Sequence, residues 1–297
     1  MNTLPIEQAQ NDVCLAVHSL QDLPSISPMA NKLLTIIGDD EVTINQLADI
    51  IRQDASLGAR IIGLANSAYF GQSEPITSIE DAIFKALGLR LTQNMTLGIA
   101  LAGPFKSQVQ CKAFDLNRFW LNAVLTASLA QSFCKLLQNE HLIDKDTAYL
   151  AGLLHEFGLL PLVYLFPEQM DSLFTSYNGD EYLHEILQRE LDTDQHEVGA
   201  CLAAKWKVPA AIIDVIAHYS HPEYCGENQL LLILIRFCSH WATQYMENKP
   251  WDELPEDTDA LLEFSGIEHA QVLRLLKQHY VKSEALRSMA NALVAGE

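Results

Sequence analysis

The run Leu153-Leu154-His155-Glu156-Phe157-Gly158 sets an imidazole beside a carboxylate at the end of an apolar stretch. Such a pair can help hold a divalent metal ion, which activates water and neutralises phosphate charge. Ligands for that chemistry come from several helices, so their convergence matters more than their spacing along the chain. Further imidazoles stand at His196, in Asp194-Gln195-His196-Glu197, and at His218, in His218-Tyr219-Ser220-His221. Converging, His155, Glu156, His196 and His218 would make a small site suited to zinc, nickel or iron. Each also has a plainer reading. His155 ends an apolar stripe, where a histidine is ordinarily buried and hydrogen-bonded to a neighbouring helix. His196 would lie partly exposed in a first helical turn, and His218 and His221 would sit at a helix end. The six cysteines are scattered without a Cys-x-x-Cys pair. That spacing excludes a zinc ribbon or redox motif, and the apolar neighbours of most suggest buried thiols.

The elements that must position these groups read as helices almost throughout. Thr43-Ile44-Asn45-Gln46 has the form of a capping box, followed by a stripe of Ile44, Leu47, Ala48 and Ile51. Asp54 is expected to cap the next helix, with Leu57, Ile61, Leu64 and Ala65 facing inward, and Gly71 to close that region. Ser78 opens another, with Ile79, Ala82, Ile83, Ala86 and Leu87 on one face. A softer stretch around Pro104, Gly103 to Asp115, marks a subdomain boundary. A long helix follows from about Leu116 to Leu137. Asp146 is expected to cap the helix carrying His155, and Gly158 to stop it. Pro209 suits the first position of a helix with Ile212, Ile213, Ile216 and Ala217 on its stripe. The acidic, proline-containing run Asn248 to Thr258 reads as an exposed loop, and Glu268 to Leu293 as a last helix. There is no convincing period-two strand and no internal repeat.

Bulk composition narrows the function classes. The 297 residues are 49% hydrophobic and 19% charged, ample for a large buried core. Nineteen basic residues against thirty-eight acidic give a net charge of −19. That balance disfavours nonspecific binding to nucleic acid or to anionic membranes. Met1 to Asp12 is polar, without the basic start and apolar stretch of a signal peptide. The apolar run Leu230 to Ile235 is far too short to span a bilayer. The expectation is a reduced, cytoplasmic protein. The helices between Thr43 and Asn66 superficially suggest a helix-turn-helix, but their only cations are Arg52 and Arg60, against Asp49 and Asp54. A recognition helix needs more positive charge, so a DNA-binding regulator is disfavoured.

Several blocks together resemble the HDOD family, the HD-related output domain of bacterial signalling proteins. They begin with Leu23-Pro24-Ser25-Ile26-Ser27-Pro28. The most specific is Ile51-Arg52-Gln53-Asp54-Ala55-Ser56-Leu57, continuing through Leu64-Ala65-Asn66-Ser67-Ala68-Tyr69-Phe70-Gly71. Thr77-Ser78-Ile79, Leu87-Gly88, Phe119-Trp120, Ala151-Gly152-Leu153-Leu154-His155, Glu197-Val198-Gly199-Ala200 and Trp206-Lys207-Val208-Pro209 extend the match. The resemblance implies an all-α, multi-helical fold: an N-terminal helical lobe followed by a degenerate lobe similar to HD phosphohydrolases. The HDOD-like domain is placed at 23–245, with the N-lobe over 23–110 and the HD-like lobe over 114–245. Residues 1–22 are read as an N-terminal helical extension and 256–297 as a C-terminal helical tail.

By the same resemblance, the site positions are Asn122, His155, Glu156 and Ser239. Asn122 stands where active relatives carry a first histidine, Glu156 where they carry aspartate, and Ser239 where they carry a last aspartate. No lysine follows the His155-Glu156 pair. These departures remove charge as well as geometry. His155 would then be a buried histidine bridging to Asn122. The implied function is a non-enzymatic signalling module without a cofactor, acting on regulatory and signalling proteins, with neither nucleic acid nor membrane as partner. The alternatives are a residual metal-dependent phosphohydrolase and a nucleotide-binding protein, a small-molecule ligand being open. Asn66, Ser67, Tyr69, Phe70 and Gly71 form a candidate interaction loop, beside the plainer reading of capping and packing. The tripeptide Glu284-Ala285-Leu286 matches a phosphodiesterase label by its letters alone and is discarded.

Overall fold

The computed structural model describes residues 24–39, 41–108, 111–137, 143–177, 179 and 181–294. The helical extension expected over 1–22 lies outside them. Helices α1 (Pro28–Ile36), α2 (Ile44–Ile51) and α3 (Ala55–Ala65) start where local chemistry dictates. Ser27 accepts from the Ala30 amide at 3.0 Å, and Asp54 accepts from Ser56 and Leu57 at 2.9 and 3.1 Å. Thr43 and Gln46 close a reciprocal capping box, in which Gln46 Oε1 accepts from the Thr43 amide at 2.8 Å. Helix α4 (Ile79–Asp81) is capped by Ser78 and runs on as a π-helical segment, Ala82–Leu87. Gly88, at φ 75°, turns the chain into α5 (Leu89–Ala102), which is buried from Thr92 to Ala102.

A 3₁₀ stretch, Gly103–Gln108, leads to α6 (Leu116–Cys134). Helix α7 (Lys145–Leu154) packs closely on it. A Cβ at Gly152 would lie 2.6 Å from the Ala127 Cα, so only glycine permits this crossing. Around the pair run α8 (Leu159–Leu165), α9 (Pro167–Ser176), α10 (Leu183–Leu191), α11 (Gln195–Lys205), α12 (Ala210–His218) and α13 (Gln229–Met246). The C-terminal part forms α14 (Thr258–Ser265) and α15 (His269–Val294). Helix α15 packs back on α6 and α3, burying Leu276, Leu286, Met289 and Leu293. The expected tail is therefore part of the core. The described residues contain no strand, and one apolar cluster runs from Ala30 to Leu293.

Three local expectations change. The cap of α7 is Asp144, which accepts from the Thr147 amide at 2.7 Å; Asp146 falls in the first turn. Gly158 does not stop that helix: it has φ −65° and precedes α8. Its hydrogen is required because a Cβ would sit 1.7 Å from the Gln195 carbonyl oxygen on α11. The stretch Asn248 to Thr258 is not simply exposed. Asp257 Oδ1 lies 2.5 Å from Arg236 Nε, with the two side chains 12% and 6% exposed. The Trp241 indole donates to the Trp251 carbonyl at 3.2 Å. Cys111, Cys134 and Cys238 are free and buried, and Cys225 is free and exposed. Residues 145–165 are apolar and long enough to cross a membrane by composition, but 83% of that window is buried inside the fold.

Candidate functional site

His155 is the residue after α7, where the helix stops and the chain turns toward α8. It is wholly buried. Its Nδ1 lies 2.8 Å from the Gly152 carbonyl oxygen, and its Nε2 lies 2.9 Å from Ser239 Oγ on α13. A carbonyl can only accept, so Nδ1 carries the proton and Nε2 accepts from the serine hydroxyl. Burial lowers the His155 pKa to about 4, which keeps the ring neutral. The expected neighbouring-helix partner is thus present, but it is Ser239, not Asn122. The Asn122 carbonyl accepts instead from Thr126 Oγ1, one turn along α6, at 3.1 Å.

His196 repeats the arrangement. Asp194 caps α11 by accepting from the His196 and Glu197 amides at 2.8 and 2.9 Å, which fixes the imidazole in the first turn. The ring is buried, not partly exposed as expected. Nδ1 donates to the Ile216 carbonyl at 3.0 Å, and Nε2 accepts from Ser220 Oγ at 2.9 Å. Burial again brings the pKa to about 4.

Tyr219, directly after α12, stands between the two histidines. Its ring meets His155 edge-on at 5.0 Å and His196 at 5.1 Å between centroids. Its hydroxyl donates to the Glu156 carboxylate. Burial pushes the Glu156 carboxyl above its ordinary range, and it pushes the Tyr219 phenol well above its own, assisted by the adjacent carboxylate. His218 does not join this group. It stacks on Tyr224 at 5.0 Å and faces His221 at 5.9 Å. His184 and His221 approach His196 from the outer side, at 5.6 and 6.0 Å between ring centroids.

His155, Glu156, His196 and Ser239 therefore come together, while Asn122 and His218 are engaged elsewhere. Both ring nitrogens of His155 and of His196 are already hydrogen-bonded, and Glu156 is held by a phenol. Among the described residues, no three His, Cys, Asp or Glu side chains are arranged to hold a metal ion. The donors present do not fit the divalent ion that HD hydrolases use. No local pattern marks Tyr219 and Ser220 as site residues, because their partners lie far away along the chain.

The loop after α3 has mostly packing duties. The Asn66 amide donates to the Ile76 carbonyl at 2.8 Å, and its oxygen accepts from the Ile76 amide at 2.8 Å. Ser67 is buried, and the Ala68 amide donates to Ser288 Oγ of α15 at 3.3 Å. Tyr69 and Phe70 meet edge-on at 5.0 Å and pack against the core. Gly71 takes a positive φ of 57°.

Comparison with known proteins agrees with this architecture. A protein of Geobacter sulfurreducens described as an HDOD domain protein with unknown function superposes with a TM-score of 0.77, at 20% identity, over 97% of this chain and 99% of its own. A protein of Shewanella amazonensis SB2B, provisionally named a phosphohydrolase, gives 0.74 at 22% identity over 95% and 98%. One from Marinobacter aquaeolei VT8, provisionally named a signal transduction protein, gives 0.80 at 21% identity over 98% and 67%. At these identities the likeness shows the fold. An uncharacterized protein of Treponema pallidum (strain Nichols) is 25% identical over 263 residues, 87% of this chain. The chain spans about half the length of that relative, 49%. The HDOD domain model matches residues 23–222, and the chain belongs to the HDOD family.

Proposed function

We propose that this protein is a non-enzymatic regulatory module of bacterial signal transduction, working in the cytoplasm by binding other proteins. The observation that carries this reading is the position of Tyr219. Its ring fills the space between His155 and His196, and its hydroxyl occupies the Glu156 carboxylate. Metal-assisted hydrolysis needs ligand lone pairs free to bind the ion and an open coordination position. Here both imidazole lone pairs accept hydrogen bonds from serine hydroxyls. A net charge of −19 argues against a phosphate-backbone or anionic-lipid partner.

The test combines metal analysis with turnover. The purified chain, supplied with manganese or iron, is expected to retain no stoichiometric metal and to hydrolyse no phosphodiester. Stoichiometric metal with turnover, abolished by His155→Ala, would establish the residual phosphohydrolase reading instead. Calorimetry with nucleotides is expected to show no heat; a saturable heat would favour the nucleotide-binding alternative.

A further inference from the structure

Helices α9 and α10 are consecutive, yet they leave a space between them. Helix α9 packs chiefly on α8, and α10 packs chiefly on α11. The reason lies in the pattern of α10. Leu187 is fully buried, while Ile186 and Leu191 turn toward α9 and stay partly exposed. Between the helices lies an open groove of about 740 Å³. Its apolar floor is Leu173 on α9 with Ile186 and Leu191 on α10. Tyr177 closes one end, its hydroxyl donating to the Glu181 carbonyl at 3.2 Å.

The rim is acidic. Glu168, Glu181 and Glu190 line it, and all three are exposed. Among the described residues the cation lining it is Arg189, whose guanidinium is already held by Glu181 at 2.9 Å and Glu190 at 3.5 Å. The described lining therefore keeps an excess of negative charge, and Gln169, Ser172 and Ser176 add neutral polar surface beside the three apolar residues. A cleft bounded by two helices, apolar below and acidic at the edges, complements an amphipathic helix with cationic flanks. The net charge of −19 would steer such a segment from a distance and repel a second copy of this chain, nucleic acid and anionic lipid.

We propose that the α9–α10 groove docks a basic amphipathic helix of a partner protein. Its apolar stripe would lie on Leu173, Ile186 and Leu191, and its lysines or arginines would meet Glu168, Glu181 and Glu190. The proposal rests on the protein-binding reading above and names the class of partner.

Fluorescence anisotropy on the full chain tests it with three labelled peptides of about 14 residues. One carries leucines at helical spacing with lysines on the other face, one has glutamates in place of the lysines, and one is a scrambled form of the first. The basic amphipathic peptide is expected to bind saturably and to weaken as salt rises; the other two are expected not to bind. Glu168→Lys with Glu190→Lys should weaken binding about tenfold or more, and Ser172→Trp, which fills the groove without changing charge, should do the same. Glu263→Lys with Glu284→Lys, the same charge change on another surface, should have little effect. Equal weakening by both charge reversals, or no loss with Ser172→Trp, overturns the groove as the site. Failure of the basic peptide to bind, with no metal-dependent turnover, overturns the groove alone; turnover overturns the protein-binding reading beneath it.

Discussion

Tyr219 and Glu156 stand 63 residues apart in sequence and share a hydrogen bond between the turn after α12 and the turn after α7. The phenol is the donor and the carboxylate the acceptor; Tyr219 is buried and Glu156 partly buried. This contact ties the two turns together.

Tyr219→Phe keeps the ring and removes the donor. A buried acceptor left without its donor costs about 1–3 kcal/mol. The variant is expected to lose that much stability in urea denaturation. Glu156→Leu added to Tyr219→Phe should recover part of the loss, because the orphaned acceptor is gone. Additive losses in the double-mutant cycle would show that the two groups are not coupled.

Gly158→Ala places a methyl group 1.7 Å from the Gln195 carbonyl oxygen and close to the Gly199 backbone. Neither neighbour is a flexible side-chain end, so α8 and α11 must separate. The expected cost is about 3 kcal/mol or more, seen as a lowered thermal midpoint. An unchanged midpoint would show that the crossing is looser than this geometry implies.

Asp257→Ala leaves the Arg236 guanidinium buried without its carboxylate, a change that typically costs about 3–5 kcal/mol. Arg236 also donates to the Tyr219 carbonyl at 3.3 Å, so the loss should reach the site. Burial alone would raise the Asp257 pKa, but His240 and Arg236 outweigh it and hold the group below its ordinary value. The pair's stabilisation is therefore full above the ordinary carboxylate range and is lost as pH falls through the lowered value. Urea midpoints of wild type and Asp257→Ala should converge only in strong acid; a constant gap down to pH about 2 would contradict this linkage.

His279 gives a pH signature of the same sign at higher pH. It is buried against α6 and Trp241, and burial lowers its pKa to about 4 from an ordinary 6.5. Below pH 6.5 the unfolded chain takes up a proton that the folded chain refuses until about pH 4. Stability should thus fall with decreasing pH across that window, by up to about 1.4 kcal/mol per unit for each such group. His155 and His196 act in the same direction, while the raised Glu156 carboxyl acts against them. The stability difference between wild type and His279→Gln should slope by up to one proton between about pH 6.5 and 4. Parallel profiles would sink the assignment.

Helix starts were legible because their causes are local. Thr43 with Gln46, Asp54, Ser78 and Asp194 each satisfy free amides within three residues, so the motif and its hydrogen bonds coincide. Asp144 and Asp146 show the limit: both suit a cap, and only the path of the backbone chose the first. Gly158 shows the same limit. A glycine near a helix end suggests a left-handed stop, whereas this one answers to a carbonyl on α11.

The sequence by itself determined the all-α class, most helix starts, the family and the adjacent pair His155 and Glu156. Those follow from hydrogen bonds and apolar spacing within one or two helical turns. Tertiary structure alone decided that His155 Nε2 accepts from Ser239, 84 residues on, that Tyr219 fills the gap beside His196, and that α9 and α10 leave an acidic groove. These depend on which helix faces packing brings together and on which polar groups are then cut off from water, and neither is written in local spacing.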